Sequence, residues 1–178
     1  MLKQKIPTLV YHTYKMTETT NTWRQYSDSS TIEYERKVTT FFTLYAPSPP
    51  EDGFHEIDVT IDSMKYTFKQ DDTEINFDSQ GEIPQKRFLD LTAATAPLSQ
   101  EFQMTYSPYG EVAKIGGDNL DELEDYVTQE GKDILSDVQK HMWLEAISFN
   151  HLTYIADLRK NVLPNGLVEK DSVWKADF

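Results

Sequence analysis

The stretch "HEIDVTIDSMKYTF" (His55 to Phe68) decides the fold. Through Asp62 it alternates, with His55, Ile57, Val59 and Ile61 set against Glu56, Asp58, Thr60 and Asp62. A period of two with acids on one side is the pattern of a half-buried antiparallel strand. After Ser63 the parity changes, and Met64, Tyr66 and Phe68 become the apolar set against Lys65, Thr67 and Lys69. An unbroken strand would turn its core face to water at that point. One extra residue, a β-bulge near Ser63 and Met64, restores the facing, so the sequence predicts a bulge or sharp coil there.

Working outward, the two segments before it are rich in Thr and Tyr: "PTLVYHTYKMTETTNTW" (Pro7 to Trp23) and "STIEYERKVTTFFTLYA" (Ser30 to Ala46). β-Branched and ring side chains pack well on a pleated surface, so both read as strands, joined by a turn in "RQYSDSS". "PSPPEDG" (Pro47 to Gly53) is a strong breaker. After Phe68, Asp71-Asp72 reads as a turn and "TEINFDSQGE" (Thr73 to Glu82) as the return strand. "RFLDLTAATAPLSQ" (Arg87 to Gln100) carries Phe88, Leu91 and Ala94 at helical spacing before Pro97, and predicts a short helix on a sheet. "EFQMTYSPYGEVAKI" reads as a hairpin turned at Pro108 to Gly110, with Phe102, Met104 and Tyr106 alternating before the turn and Val112 and Ile115 after it.

From Asp118 the period becomes helical. Asp118 or Asn119 is expected to cap, and Leu120, Leu123 and Val127 form a narrow apolar stripe before a break at Gly131. A second helix is expected from about Lys132 to Val162, with Ile134, Val138, Met142, Phe149, Leu152, Ile155 and Leu158 at three- and four-residue intervals. Its middle, "MWLEAISF", is apolar almost all round. "LPNG" (Leu163 to Gly166) stops it and residues 167–178 close as a strand. The expectation is a single α+β domain over 1–178: an antiparallel sheet of about six to eight strands, β-rich through 117, with a helical pair (about 118–162) on one face.

Composition narrows the function. The 178 residues carry a formal charge of −13, a pI near 4.6 and 38% hydrophobic residues. A nucleic-acid binder needs a basic footprint, whereas this surface would repel phosphate and anionic membranes alike, so neither is an expected partner. With no Cys, disulfides, thiolate metal sites and Cys nucleophiles are excluded. No apolar run approaches a membrane span or a signal peptide, and the chain as given is expected to be soluble.

Individual motifs add little chemistry. Gly116-Gly117 feeds a helix start as phosphate loops do, but lacks the Lys and Ser/Thr of a P-loop and runs into acids. A phosphate at ~5 Å from one carboxylate costs about 3 kcal/mol at an effective dielectric of 20. The pair therefore reads as a turn from sheet to helix. His12, His55, His141 and His151 form no metal-ligand spacing; on one helix His141 and His151 would stand about 80° apart. "DDTEINFDSQGE", counted from Asp71, has Asn76 where an EF-hand loop needs Gly at position six, so that loop fails although Glu82 stands at position twelve, and no G-x-S-x-G is present. No catalytic, cofactor-binding or metal residue is assigned, and no cofactor is expected. The one candidate surface is Met142, Trp143, Ala146, Ile147 and Phe149, which either fills the sheet or meets a ligand or partner.

The order of pieces also carries a resemblance. It runs through the Thr/Tyr-rich opening, "HEIDVTIDSMKYTF", "PLSQEFQMTYSPYGEVAKIGG", "VLPNG" and "LVEKDSVWKADF". The last two together carry an L-P pair, a charged loop, then Asp, Ser and Trp at Leu163, Pro164, Asp171, Ser172 and Trp174. In this it resembles a family of bacterial secreted or lipoprotein-type proteins classed as a domain of unknown function. The resemblance implies a mostly antiparallel β structure with helices, an extracytoplasmic setting and no known catalytic residues. Members usually begin with a leader and lipid-attachment Cys and continue past the Trp element. Their absence here leaves two readings, a fragment of a longer protein or a distant relationship. The expected function is a non-enzymatic extracytoplasmic binding or scaffold module working through protein contacts or self-association. Its alternatives are a carrier of an apolar or lipid-like ligand between sheet and helix 132–162, and a hydrolase with a site the sequence does not display.

Overall fold

The computed structural model describes residues 7–26, 30–81, 88–98, 101–107, 111–129 and 134–156, the side chains at 89, 92–93 and 154–156 excepted. It shows an α+β fold built on a six-stranded antiparallel sheet. Strands β1 (Tyr11–Gln25) and β2 (Thr31–Tyr45) pair along their whole length, from Tyr11 opposite Tyr45 to Gln25 opposite Thr31. β2 then pairs with β3 (His55–Gln70). The other edge of β3 is divided: β4 (Thr73–Asp78) pairs with Lys65–Gln70, and β5 (Glu101–Tyr106) with His55–Thr60. β6 (Val112–Gly116) adds to β5.

The change of parity in β3 is resolved by a bulge. Ile61 faces Phe42 and Ser63 faces Phe41, which makes Asp62 the extra residue, one place before the expected Ser63–Met64. As a result Ile57, Val59 and Ile61 are buried on the same face as Met64, Tyr66 and Phe68. Asp62 itself faces out, where its Oδ2 accepts from Thr43 Oγ1 at 2.7 Å. The bulge coincides with the gap between β4 and β5. There Met64 N–H donates to Ser79 Oγ and Ser79 N–H donates to the Met64 carbonyl, both at 2.9 Å. Ser79 thus satisfies the backbone of Met64, which neither strand pairs.

The buried face of the sheet adds Val38, Phe42 and Leu44 from β2 and Phe102, Met104 and Tyr106 from β5. Helices supply Leu91 and Ala94 of α1 (Leu89–Ala94), Leu120 of α2 (Asp118–Thr128) and Leu152 of α4 (Phe149–Ala156). The opposite face is polar and threonine-rich, with Thr17 and Thr39 hydroxyls 3.1 Å apart across β1 and β2.

The helical layer departs from expectation in three places. Gly117, not Asp118 or Asn119, is the N-cap of α2, and no side chain caps it; Asp118 is already helical. Gly117 has φ 139°, and a Cβ there would lie 3.3 Å from Phe102 Cα, so conformation and tight space both favour glycine. Helix α3 (Asp137–Ala146) starts later than Lys132, because Ser136 and Gln139 form a reciprocal capping box. The long second helix is also interrupted at Ile147–Ser148. Ser148 N–H tightens onto the Glu145 carbonyl at 3.1 Å, while Ser148 Oγ accepts from His151 N–H at 3.3 Å and starts α4. A serine hydroxyl offers the next turn a cap, and here that local bond replaces helix continuation. The Pro108 to Gly110 turn, Gly131, Leu158, "LPNG", the closing strand 167–178 and Asp171, Ser172 and Trp174 lie outside the described residues.

Candidate functional site

On the helix-covered face, Arg36 stands in the middle of β2, opposite Thr20 on β1 and Phe68 on β3. That register puts Glu18 and Tyr66 on its two diagonals. Arg36 Nη1 lies 3.6 Å from Glu18 Oε1, and Nε lies 3.0 Å from Asp90 Oδ2. The second contact is an ion pair without hydrogen-bond alignment, since Nε has no hydrogen-bonding acceptor. Asp90, from α1, also accepts the Tyr66 hydroxyl at 2.6 Å. Thr20 Oγ1 donates to Glu18 at 3.3 Å. Phe88 closes over the rings of Tyr66 and Phe68, with centroids 6.3 and 4.8 Å away. These contacts hold α1 onto the sheet.

Beside this network lies an open cleft of about 270 Å³. Arg36 forms part of it from the sheet, Asp90 and Ala94 from α1, His141, Met142, Glu145 and Ala146 from α3, and His151 from α4. Burial holds the His151 imidazole below its ordinary value; the fields of Glu18 and Glu145 oppose this and that of Arg36 adds to it. Burial therefore favours the neutral imidazole over its charged form. The Tyr66 phenol is pushed well above its ordinary value, first by burial and then by the hydrogen bond and charge of Asp90.

The five residues of the expected apolar surface do not share one face. Met142 and Ala146 line the cleft. Trp143 instead tilts against Tyr126 of α2, ring centroids 6.5 Å apart. Ile147 and Phe149 turn into a second hollow of about 340 Å³ with Leu120, Leu144 and Ile115. Rotation about α3 divides them, since Met142 and Ala146 share one side of the helix and Trp143 and Ile147 stand about 100° away; the interruption at Ser148 then sets the place of Phe149. It also brings His141 and His151 to one cleft, although an unbroken helix would have kept them apart. His12 and His55 sit on the sheet, each with a buried, unpartnered ring nitrogen.

Sequence reasoning missed Arg36, Asp90, Tyr66, Glu18 and Glu145. Arg36 was legible only as part of the short basic run "YERKV", and Tyr66 only as an apolar position in β3. The available signal was Ser148, a residue suited to capping inside an expected helix.

Chemically, Arg36, Glu18 and Asp90 are committed to one another. Arg36 sits between two carboxylates, and Asp90 already serves Tyr66 and Arg36. Among the described residues the cleft lining contains no Ser, Thr or Cys. Among the described residues no group of three or more His and acids is arranged to hold a metal ion, and no helix is long and apolar enough to cross a membrane. No family model, curated protein or solved structure matches this chain.

Proposed function

We propose that the protein is a non-catalytic binding module whose α1–α3–α4 cleft receives a small, partly apolar ligand. The observation that carries this reading is the cleft's construction: Met142, Ala146 and Ala94 give it an apolar surface beside a charged group already paired within the fold. A pre-formed pocket with a few fixed polar groups is what small-molecule recognition uses. At about 270 Å³ the cleft suits a compact ligand better than a lipid chain. The family resemblance supports a role outside the cytoplasm. Native mass spectrometry of protein purified without denaturation should show a non-covalent small-molecule adduct, and Ala146→Trp should remove it. A protein without an adduct, whose amide signals at Met142, Glu145 and His151 stay fixed against a fragment set, would overturn the reading.

Self-association is a second reading. It draws on Ile134 and Val138, 76% and 59% exposed and placed on either side of the Ser136 cap of α3. Sedimentation over a range of concentrations should then show a dimer that Val138→Asp dissociates; a monomer throughout would remove it.

A further inference from the structure

The open face of the sheet carries a second candidate site at the far end of β1 and β2. Trp23 stands opposite Glu33, and Asn21 opposite Glu35, while Glu35 faces Lys69 across β3. With Asp71 from the β3–β4 turn, they line an open hollow of about 520 Å³ that wraps this end of the strands and also touches Thr22 and Tyr34 from the other face. The Trp23 indole is 60% exposed. Lys69 is matched by Glu74 on β4, Nζ to Oε1 3.7 Å, which leaves Glu33, Glu35 and Asp71 to set the field of the groove.

We propose that this groove docks a lysine- or arginine-bearing segment of a partner protein. An indole face is the strongest aromatic site for an ammonium or guanidinium, and carboxylates one strand away add attraction on the same side. The two rows, Asn21/Trp23 and Glu33/Glu35, repeat every second residue and so match the side-chain spacing of an extended peptide. The chain's net charge of −13 draws cationic partners and repels anionic ones. A neutral sugar also stacks on an indole but gains nothing from the excess charge.

The test is a fluorescence-anisotropy titration with a labelled, end-blocked peptide of four lysines alternating with glycines. The same peptide with glutamates serves as the counter-probe, and maltohexaose as the neutral competitor. Trp23→Ala and the pair Glu33→Gln/Glu35→Gln should each weaken lysine-peptide binding about tenfold. The pair Glu122→Gln/Asp125→Asn removes equal charge from exposed positions on α2 and should change it by less than about twofold. Trp23→Phe should lose less than Trp23→Ala, and melting curves should stay unchanged because the indole is outside the core. An equal loss in the α2 pair would reduce the effect to diffuse charge and overturn the proposal. So would binding indifferent to Trp23→Ala, or displacement of the peptide by maltohexaose.

Discussion

Replacing Tyr66 by Phe removes one oxygen atom from a residue that is 1% exposed and leaves its ring packing in place. What is lost is the 2.6 Å hydrogen bond to Asp90. A bond to a charged acceptor contributes about 1.5–3 kcal/mol net. The lower figure applies here, because 39% of the Asp90 side chain meets solvent and Arg36 Nε remains 3.0 Å away. The expected loss is therefore about 1.5 kcal/mol, or about 3–6 °C in Tm for a chain of this size. Urea unfolding followed by far-UV circular dichroism reads the first number and a thermal scan the second. The informative comparison is the same change in an Asp90→Ala background. There the Tyr66 hydroxyl is already buried without its partner, so removing it should be neutral or stabilising. Equal losses in both backgrounds would refute the argument. They would show that the phenol acts through something other than Asp90.

The raised Tyr66 pKa predicts an alkaline weakness. Its contribution to stability is complete below the unfolded value of 10.0 and declines above it, so wild type should lose stability more steeply than Tyr66→Phe as pH rises past 10. The lowered His151 pKa works in the opposite direction. Stability is full above the unfolded value of 6.5 and falls as the unfolded chain takes up the proton, so His151→Gln should flatten the decline between neutral pH and mild acid in urea titrations. At the turn into α2, Gly117→Ala should cost about 1–3 kcal/mol from positive φ and the close Phe102 backbone. Gly116→Ala, whose Cβ would meet only Lys114 Cε at 3.9 Å, should cost less than about 1 kcal/mol; equal costs would show that the hinge geometry is not the constraint.

The sheet was largely legible because each strand carries its own alternation, and a one-residue slip in β3 shows as a switch from Ile61 to Met64. Sequence alone does not say that β4 and β5 share one edge of β3, since that choice belongs to the tertiary packing of α1 between them. The helical layer was less legible. Apolar spacing from Ile134 to Leu152 continues across Ser148, and periodicity cannot register a break that a single hydroxyl creates. Ile134 and Val138, expected on the buried stripe, are in solvent because only the C-terminal half of α3 reaches the core. The Arg36–Asp90 pair was beyond reach: with 30 acidic residues in the chain, nothing in the sequence marks Asp90 as the partner of Arg36.

The divided edge of β3 also bears on how the molecule opens. Its β4 half closes through the adjacent turn at Asp71–Asp72, so this contact is nearly local. Its β5 half joins His55 to Tyr106 and closes only after the whole α1 excursion has been placed. Long loops form late and open early relative to hairpins of similar packing. Amides of β5 and β6 should therefore exchange with solvent through a partial opening that leaves β1 to β4 intact. The Ser79 stitch at Met64 is the boundary: on one side the sheet unfolds as a whole, and on the other a hairpin and its helices can lift away first.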